Sequence, residues 1–321
     1  MSFIIHNNIL PSHLGKTFVN DFSRLKQVII SRHNSNSQSR WLERQWNDHY
    51  TREAKLQNLK SRAAFKLIEI DDKFHLFNKS KTQSILDLGF APGAWSQVIK
   101  SRSSPDSMIL GVDILPCTPP HGVSAIQANI LSRKTHELIR LFYSKHFKLN
   151  TIDKLHKNHG YFQHMLEEEL IRLKETETYK EVFSSDDNSK IIKSPIDIIL
   201  SDMYAPWPQD FNSKFSMNNI TNNAYIRMAN TSGLTVRDHA HSIDLCDAAL
   251  ITAIDLLKPK GNFVCKLFTG NEDKLFEKRV RKVFQDCYRF KPKSSRNESK
   301  EVYIIGLNKN EAIDKFDVFT T

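Results

Sequence analysis

Cysteine is scarce in this chain, and the little there is does not cluster. Cys117, Cys246, Cys265 and Cys287 stand far apart with no C-x-x-C pair among them, so the spacing offers neither a zinc site nor a disulfide framework. Long apolar runs are missing too. No stretch comes near the roughly 20 apolar residues that a membrane-spanning helix needs, and we expect a soluble protein without a membrane span. There is no internal repeat or low-complexity tract. Acidic side chains are in deficit, 36 against 46 Lys and Arg, for a formal net charge of +10. That excess points to polyanions as partners before acidic proteins or membrane surfaces.

With 321 residues and 40% hydrophobic content, the chain can bury a substantial core and fits one large catalytic domain with extensions. The basic excess is concentrated. Residues 1–86 carry 14 basic and 7 acidic side chains, and residues 258–301 carry 13 and 6. If the fold brings the two segments onto one face, they form a phosphate-binding surface; the alternative is a set of solvated helix faces. Residues 1–36 hold Lys16, Arg24, Lys26 and Arg32 against the single acid Asp21. That bias suits a mitochondrial transit peptide, and a disordered basic arm touching RNA is the other reading.

From Ser84 onward short apolar runs alternate with helix-like segments, the signature of a parallel α/β sheet. The strands expected are Ser84–Leu88, Met108–Val112, Val123–Gln127, Ile196–Leu200, Asn262–Phe268 and Val302–Gly306. A helix from about Asp238 to Leu257 carries Ile243, Cys246, Leu250, Ile254 and Leu257 at spacings of three and four, and Lys258-Pro259-Lys260-Gly261 stops it. Residues 147–193 interrupt the alternation and read as an inserted helical segment, with Phe162, Leu166, Leu170 and Leu173 at helical spacing. The irregular stretch Met203–Arg237 is too long for an ordinary connection and reads as functional.

ILDLGFAPGAWSQ, residues 85–97, reads as a buried strand ending in Asp87-Leu88-Gly89, a tight turn with Pro92 and Gly93, and a helix from about Ala94. In an α/β sheet this turn faces the ligand crevice. A Gly89-x-x-x-Gly93 turn alone suits many nucleotide folds, dehydrogenases included. The next strand ends in Asp113, 26 positions after Asp87, where a carboxylate can accept both hydrogen bonds of a ribose diol; its bland role is to cap a turn before Leu115-Pro116. Four ionisable residues lie in or beside apolar strands or helix starts: Lys66, Asp202, Lys266 and Glu301. Lysine is rarely buried without a partner, so Lys266, between Val264 and Phe268, implies a compensating carboxylate such as Asp202.

These residues carry a resemblance. RWLERQWNDHYTREAKLQNLKSRAAFKL, DLGFAPGAWSQ, SDM, GNFVCKLFTG and SRNESKEVYI follow the order of motifs in the FtsJ/RrmJ methyltransferases. The chain resembles that family over most of residues 40–306. The resemblance implies a Rossmann-like S-adenosylmethionine-dependent methyltransferase sheet with helices on both faces, here with a helical insertion. It implies a Lys-Asp-Lys-Glu tetrad at Lys66, Asp202, Lys266 and Glu301. It also implies cofactor contacts from Gly93, Trp95, Asp113 and Asp202, and methylation of a ribose 2′-hydroxyl. RWLERQ looks more like the bacterial large-subunit rRNA branch than the tRNA or pre-rRNA branches. SDMYAPWPQDF, NNITNNAYIRMANTSG and SIDLCDAALITAIDLL look like the fungal mitochondrial members.

The expectation that follows is transfer of a methyl group from S-adenosylmethionine to a uridine of mitochondrial large-subunit rRNA in the matrix, within a large-subunit assembly particle. The division expected is a targeting or basic arm at 1–36 and a methyltransferase domain at 37–321, with the insertion 147–193. Three departures stand out: Asn129 replaces an aspartate that reaches adenine in the bacterial branch, the Ser201–Trp207 loop has one extra residue, and the insertion has no bacterial counterpart.

For the mechanism we expect an in-line displacement with no metal. Lys266, its pKa depressed by burial beside another cation, is the expected base, with Lys66 the other candidate. Lys66 and Asp202 position it and the ribose, and Glu301 orients Lys66 or the substrate. Arg40, Trp41, Arg44, Trp46, Arg52, Lys60 and Arg62 supply charge and rings for RNA, with core packing the other role for the two tryptophans. The competing functions are a catalytically silent rRNA-binding assembly factor and a methyltransferase acting on tRNA or an mRNA cap.

Overall fold

The computed structural model of the protein describes residues 46–144, 163–175, 194–205, 207–208, 228–229, 231–311 and 313–320. The arm at 1–36, Arg40, Trp41, Arg44 and most of the 147–193 insertion lie outside them. Residues 1–52 and 53–321 are separate compact units, and the sheet belongs to the second. In the first, Trp46 is 78% exposed, which removes core packing as its role.

Seven strands form one sheet in the order β3-β2-β1-β4-β7-β9-β8. They are β1 (Ser84–Leu88), β2 (Met108–Asp113), β3 (Ser124–Gln127), β4 (Ile196–Ser201), β7 (Leu257–Phe268), β8 (Phe284–Phe290) and β9 (Glu301–Lys309). The first four and β7 are parallel, whereas β9 runs antiparallel between β7 and β8. A separate antiparallel pair joins β5 (Trp207–Pro208) and β6 (Met228–Ala229). Central strands such as β2, with Met108–Val112, are continuous apolar runs because helices cover both faces.

On one face lie α2 (Ala63–Phe74) and α3 (Ala94–Arg102), burying Ala64, Leu67, Ile70, Trp95, Val98 and Ile99 against Ile85, Val264, Tyr303 and Ile305. On the other lie α4 (Arg133–Tyr143), α5 (Gln163–Glu175), α6 (Thr235–Leu256), α7 (Asp273–Val283) and α8 (Lys315–Phe319). A short α1 (His49–Leu56) precedes them in sequence. Of the insertion, α5 buries Leu166 and Leu170 as the spacing predicts. It is tied to α4 by Lys134–Glu167 at 2.8 Å and Lys174–Glu137 at 3.0 Å. Phe162 is outside the described residues, as is the side chain of Leu173.

Two expectations need correction. Lys258–Gly261 does not separate a helix from a strand: α6 ends at Leu256 and β7 begins at once. The four residues instead bulge out of β7, whose register against β4 jumps from Ile196↔Leu257 to Ile198↔Asn262. Lys260 takes a positive φ of 62° there. Strand β8 has no counterpart in the sequence reading because FQDCYRF is an edge strand: its Gln285 and Asp286 face solvent, and Arg289 pairs with Asp273 and Glu277 of α7.

Because β1 leads to β2 on one side while β4 pairs on the other, strand order reverses between β1 and β4. A crevice at such a switch point opens beyond the carboxyl ends of the strands. Asp87, Asp113 and Asp202 lie at or just past those ends.

Candidate active site

The site follows from strand periodicity. Lys266 of β7 is registered opposite Tyr303 of β9, and Glu301 lies two residues before Tyr303, so all three side chains share one face. Helix α2, packed on that face, brings Lys66 to the same end. Lys66 Nζ lies 2.6 Å and 2.8 Å from the two oxygens of Glu301. Lys266 Nζ lies 3.0 Å from Asp202 Oδ1 and donates to the Asp202 backbone carbonyl at 2.7 Å. Tyr303 joins the two ion pairs, its hydroxyl 2.9 Å from Glu301 Oε1 and 3.2 Å from Asp202 Oδ1. Ser295 adds a donor to Glu301 at 3.2 Å, and the Tyr204 ring lies 5.1 Å from the Lys266 ammonium.

Lys266 is 6% exposed. Burial works against its charge, but Asp202 and Glu301 outweigh burial and raise its pKa above the ordinary 10.5. The depressed lysine expected from sequence is therefore not what the arrangement produces, since the neighbour that decides the sign is a carboxylate, not a second cation. Glu301 is buried as well, which would raise its pKa, yet Lys66 and Lys266 hold it below the ordinary carboxylate value.

What fixes Lys266 is the partner its strand lacks. Strand β4 pairs with β7 only as far as Ser201↔Cys265, which leaves the Lys266 and Phe268 backbone beyond the end of the ladder. Helix α6 supplies substitutes from one face. Cys246 Sγ–H donates to the Lys266 carbonyl (3.0 Å), Ser242 Oγ accepts from the Phe268 N–H (3.1 Å), and His239 Nδ1 donates to the Phe268 carbonyl (2.7 Å). His239 Nε2 then accepts from the Glu272 N–H at 3.0 Å, which fixes the neutral Nδ1–H tautomer. Gly270 is glycine for room: a Cβ there would come 2.2 Å from the His239 ring.

The turn between β1 and α3 lies beside this network. Gly93 caps α3 with φ of 102°, a conformation that favours glycine. Asp113 accepts from the Ala91 N–H at 3.0 Å and the Leu115 N–H at 2.9 Å. It thus caps the turn while each oxygen keeps lone-pair capacity. Trp95 is buried, its indole N–H donates to the Ala63 carbonyl at 3.0 Å, and its ring lies 5.7 Å from that of Tyr303. The ring therefore braces α2 against β9. Asn129 is exposed, its Oδ1 accepting from the Leu131 N–H at 3.0 Å.

Asp87 is fully buried: Oδ2 accepts from the Ser96 hydroxyl at 2.6 Å, and Oδ1 has no hydrogen-bond partner among the described residues. Burial pushes this carboxyl up to about 7, the Ser96 hydroxyl opposes, and Asp202 and Asp113 add to the rise. Three acidic side chains stand at the ends of three adjacent strands where the crevice opens, and of these Asp113 has no ion-pair partner among the described residues. That suits a cationic nucleoside ligand better than a phosphate-rich one.

Comparison with known proteins gives the family. The FtsJ-like methyltransferase family matches residues 59–309. The chain belongs to the FtsJ-like methyltransferase family. Like other FtsJ-like methyltransferases, it takes its methyl group from S-adenosylmethionine. It is 62% identical over 317 residues to the mitochondrial rRNA methyltransferase 2 of Saccharomyces cerevisiae, covering 93% of this chain and 98% of that protein. The Schizosaccharomyces pombe protein of the same name is 30% identical over 84% of this chain and 95% of its own length. A ribosomal RNA large subunit methyltransferase E from Rickettsia felis is 30% identical over 90% of this chain and 96% of its length.

Sequence reasoning passed over Tyr303, Tyr204, Ser295 and the α6 contacts. A signal existed for Tyr303, which stands two residues from Glu301 in an alternating strand. The contacts from α6 follow only from where β4 stops.

Proposed function

We propose that the protein methylates the ribose 2′-hydroxyl of a uridine in mitochondrial large-subunit rRNA, in the matrix, on a large-subunit assembly particle. The observation that carries this reading is the two lysine–carboxylate ion pairs, with Lys266 and Glu301 buried, joined by Tyr303 at the carboxyl end of the sheet. A protein that only bound RNA would have no use for a buried lysine paired with a carboxylate beside the crevice. The names of the mitochondrial and bacterial relatives support the target class.

S-adenosylmethionine, when bound, supplies an electrophilic methyl on a cationic sulfur. Gly93 and the Trp95 backbone line the turn that receives it, Asp113 takes the ribose diol, Asn129 the adenine edge, and Asp202 flanks the positive centre. Lys266 accepts the 2′-hydroxyl proton in its neutral form, a minor species while Asp202 and Glu301 raise its pKa. Lys66, held by Glu301, fixes the ribose for in-line attack. Residues 1–36 act as the targeting arm, and 37–321 as the methyltransferase domain with the insertion 147–193 packed through α5.

Mapping of ribose methylation across mitochondrial large-subunit rRNA, with and without the gene, tests this. Loss of one uridine 2′-O-methyl group is the expected result. An unchanged rRNA map together with loss of a tRNA methyl group would overturn it.

A further inference from the structure

Helix α2 carries more than Lys66. Glu69, three residues on, accepts from the backbone N–H groups of Lys293 at 2.6 Å and Ser294 at 2.8 Å. Near the end of the helix, the Lys73 ammonium lies 4.6 Å from the ring centre of Phe290 and 5.4 Å from that of Phe74. Phe74 meets Tyr288 at 5.4 Å and Phe290 edge-on at 5.8 Å. Tyr288 is 45% exposed on the outermost strand. Three aromatic rings and a lysine are thus gathered at one sheet edge, and Lys291 and Lys293 are exposed on the loop that follows.

The cluster is aligned with the site. Phe290 is registered opposite Tyr303, and Tyr288 opposite Ile305. From Glu301 to the level of Tyr288 is four residues of strand, about 13 Å. Along α2, Lys66 and Lys73 are separated by roughly 10 Å. Lys291 donates to the Ser299 carbonyl at 2.8 Å, which ties its loop to the segment leading into Glu301. Asp286, on the same face of β8, marks the far end.

We propose that Tyr288, Phe74 and Phe290, with Lys73, Lys291 and Lys293, form a platform for a single-stranded RNA segment flanking the methylated nucleotide. Tyr288 stacks on a splayed base, and the lysines track the backbone. Exposed aromatic rings beside cations are what unpaired RNA uses: every base has a stacking face, and phosphates follow the charge. A duplex has no unstacked base to offer Tyr288. At about 3.4 Å of rise per stacked nucleotide, the platform lies within about four nucleotides of the reacting ribose. The inference rests on the placement of that ribose between Lys66 and Lys266.

The test uses the full-length protein and a short single-stranded RNA of mixed sequence, followed by fluorescence anisotropy, with a duplex of equal length alongside. Tyr288→Ala should weaken single-strand binding about tenfold or more, and Tyr288→Trp should restore it. Duplex binding, cofactor affinity and melting temperature should not change. Lys73→Gln should flatten the dependence of single-strand affinity on salt.

Unchanged single-strand affinity in a folded Tyr288→Ala protein overturns the proposal, as does failure of Tyr288→Trp to restore it. Self-association lost in Tyr288→Ala at unchanged RNA affinity would assign the edge to a second copy of the chain. Lys266→Ala separates the two readings. It should bind the RNA normally without methylating it, so residual methylation would count against the catalytic assignment alone.

Discussion

The Tyr303 hydroxyl stands between Glu301 and Asp202, 2.9 Å from one carboxylate and 3.2 Å from the other. A phenol has one proton, so it can be given to only one of the two at a time. Burial raises the Tyr303 pKa well above its usual value, and both carboxylates raise it further. The proton therefore stays, and the two ion pairs share a single neutral donor. Tyr303→Phe should keep the fold, lower stability by about 1 to 2 kcal/mol, and slow single-turnover methylation about tenfold with cofactor affinity unchanged. A rate equal to wild type would separate Tyr303 from the chemistry.

Lys266→Ala should abolish methyl transfer while leaving cofactor affinity near wild type, because Gly93 and Asp113 belong to other strands and turns. Lys266→Arg should fail as well, since a guanidinium cannot give up its proton at working pH. Substantial activity in a folded arginine variant would remove Lys266 as the base.

The raised pKa of Lys266 has a kinetic sign. Only the neutral amine accepts a proton, and below the pKa its fraction grows tenfold per pH unit. The single-turnover rate should therefore climb about tenfold per unit from roughly pH 7 to 9. A flat profile would show that proton removal by this lysine does not limit the step.

Asp87 makes stability depend on pH in the opposite sense from a salt-bridged carboxylate. Its folded pKa, about 7, lies above the ordinary 3.8, so the folded chain binds more protons than the unfolded one between those values. Stability from this group is fully present below about pH 4 and is lost as pH rises through 7, by up to about 1.4 kcal/mol per unit. Chemical denaturation of wild type and Asp87→Asn across that window should show stability falling more steeply with pH in wild type, the difference being the Asp87 contribution.

Gly270 and His239 should be coupled. Gly270→Ala places a methyl against the imidazole and should destabilise the protein and slow catalysis together. In a His239→Ala background the same change should cost little, a non-additivity measurable by melts of the four variants. Equal cost in both backgrounds would mean the clash is not what glycine avoids.

Six strands were legible as short apolar runs between helix-like segments, and the long helix from apolar positions recurring at spacings of three and four. Strand β8 was not, since an edge strand can carry charge on positions a central strand must keep apolar. Lys66, Asp202, Lys266 and Glu301 could be picked out from their motifs, and Asp202 was expected as the partner of Lys266; for Glu301 the sequence left Lys66 and the substrate both open. Lys66 pairs with Glu301 and Lys266 with Asp202 because α2 reaches over the start of β9, a tertiary fact. The direction of the Lys266 shift was missed for the same reason: it depends on which neighbour sits 3 Å away.

The Lys66–Glu301 pair joins positions 235 residues apart, and β9, which ends at Lys309, is threaded between β7 and β8. During synthesis from the amino terminus, the cofactor turn and α2 emerge long before Glu301 does. Strands β7 and β8 must wait with open edges for the strand that separates them, a non-local closure of the kind that slows folding. Completion of the sheet and completion of the catalytic centre are then one event, and a chain cut short before Glu301 lacks both.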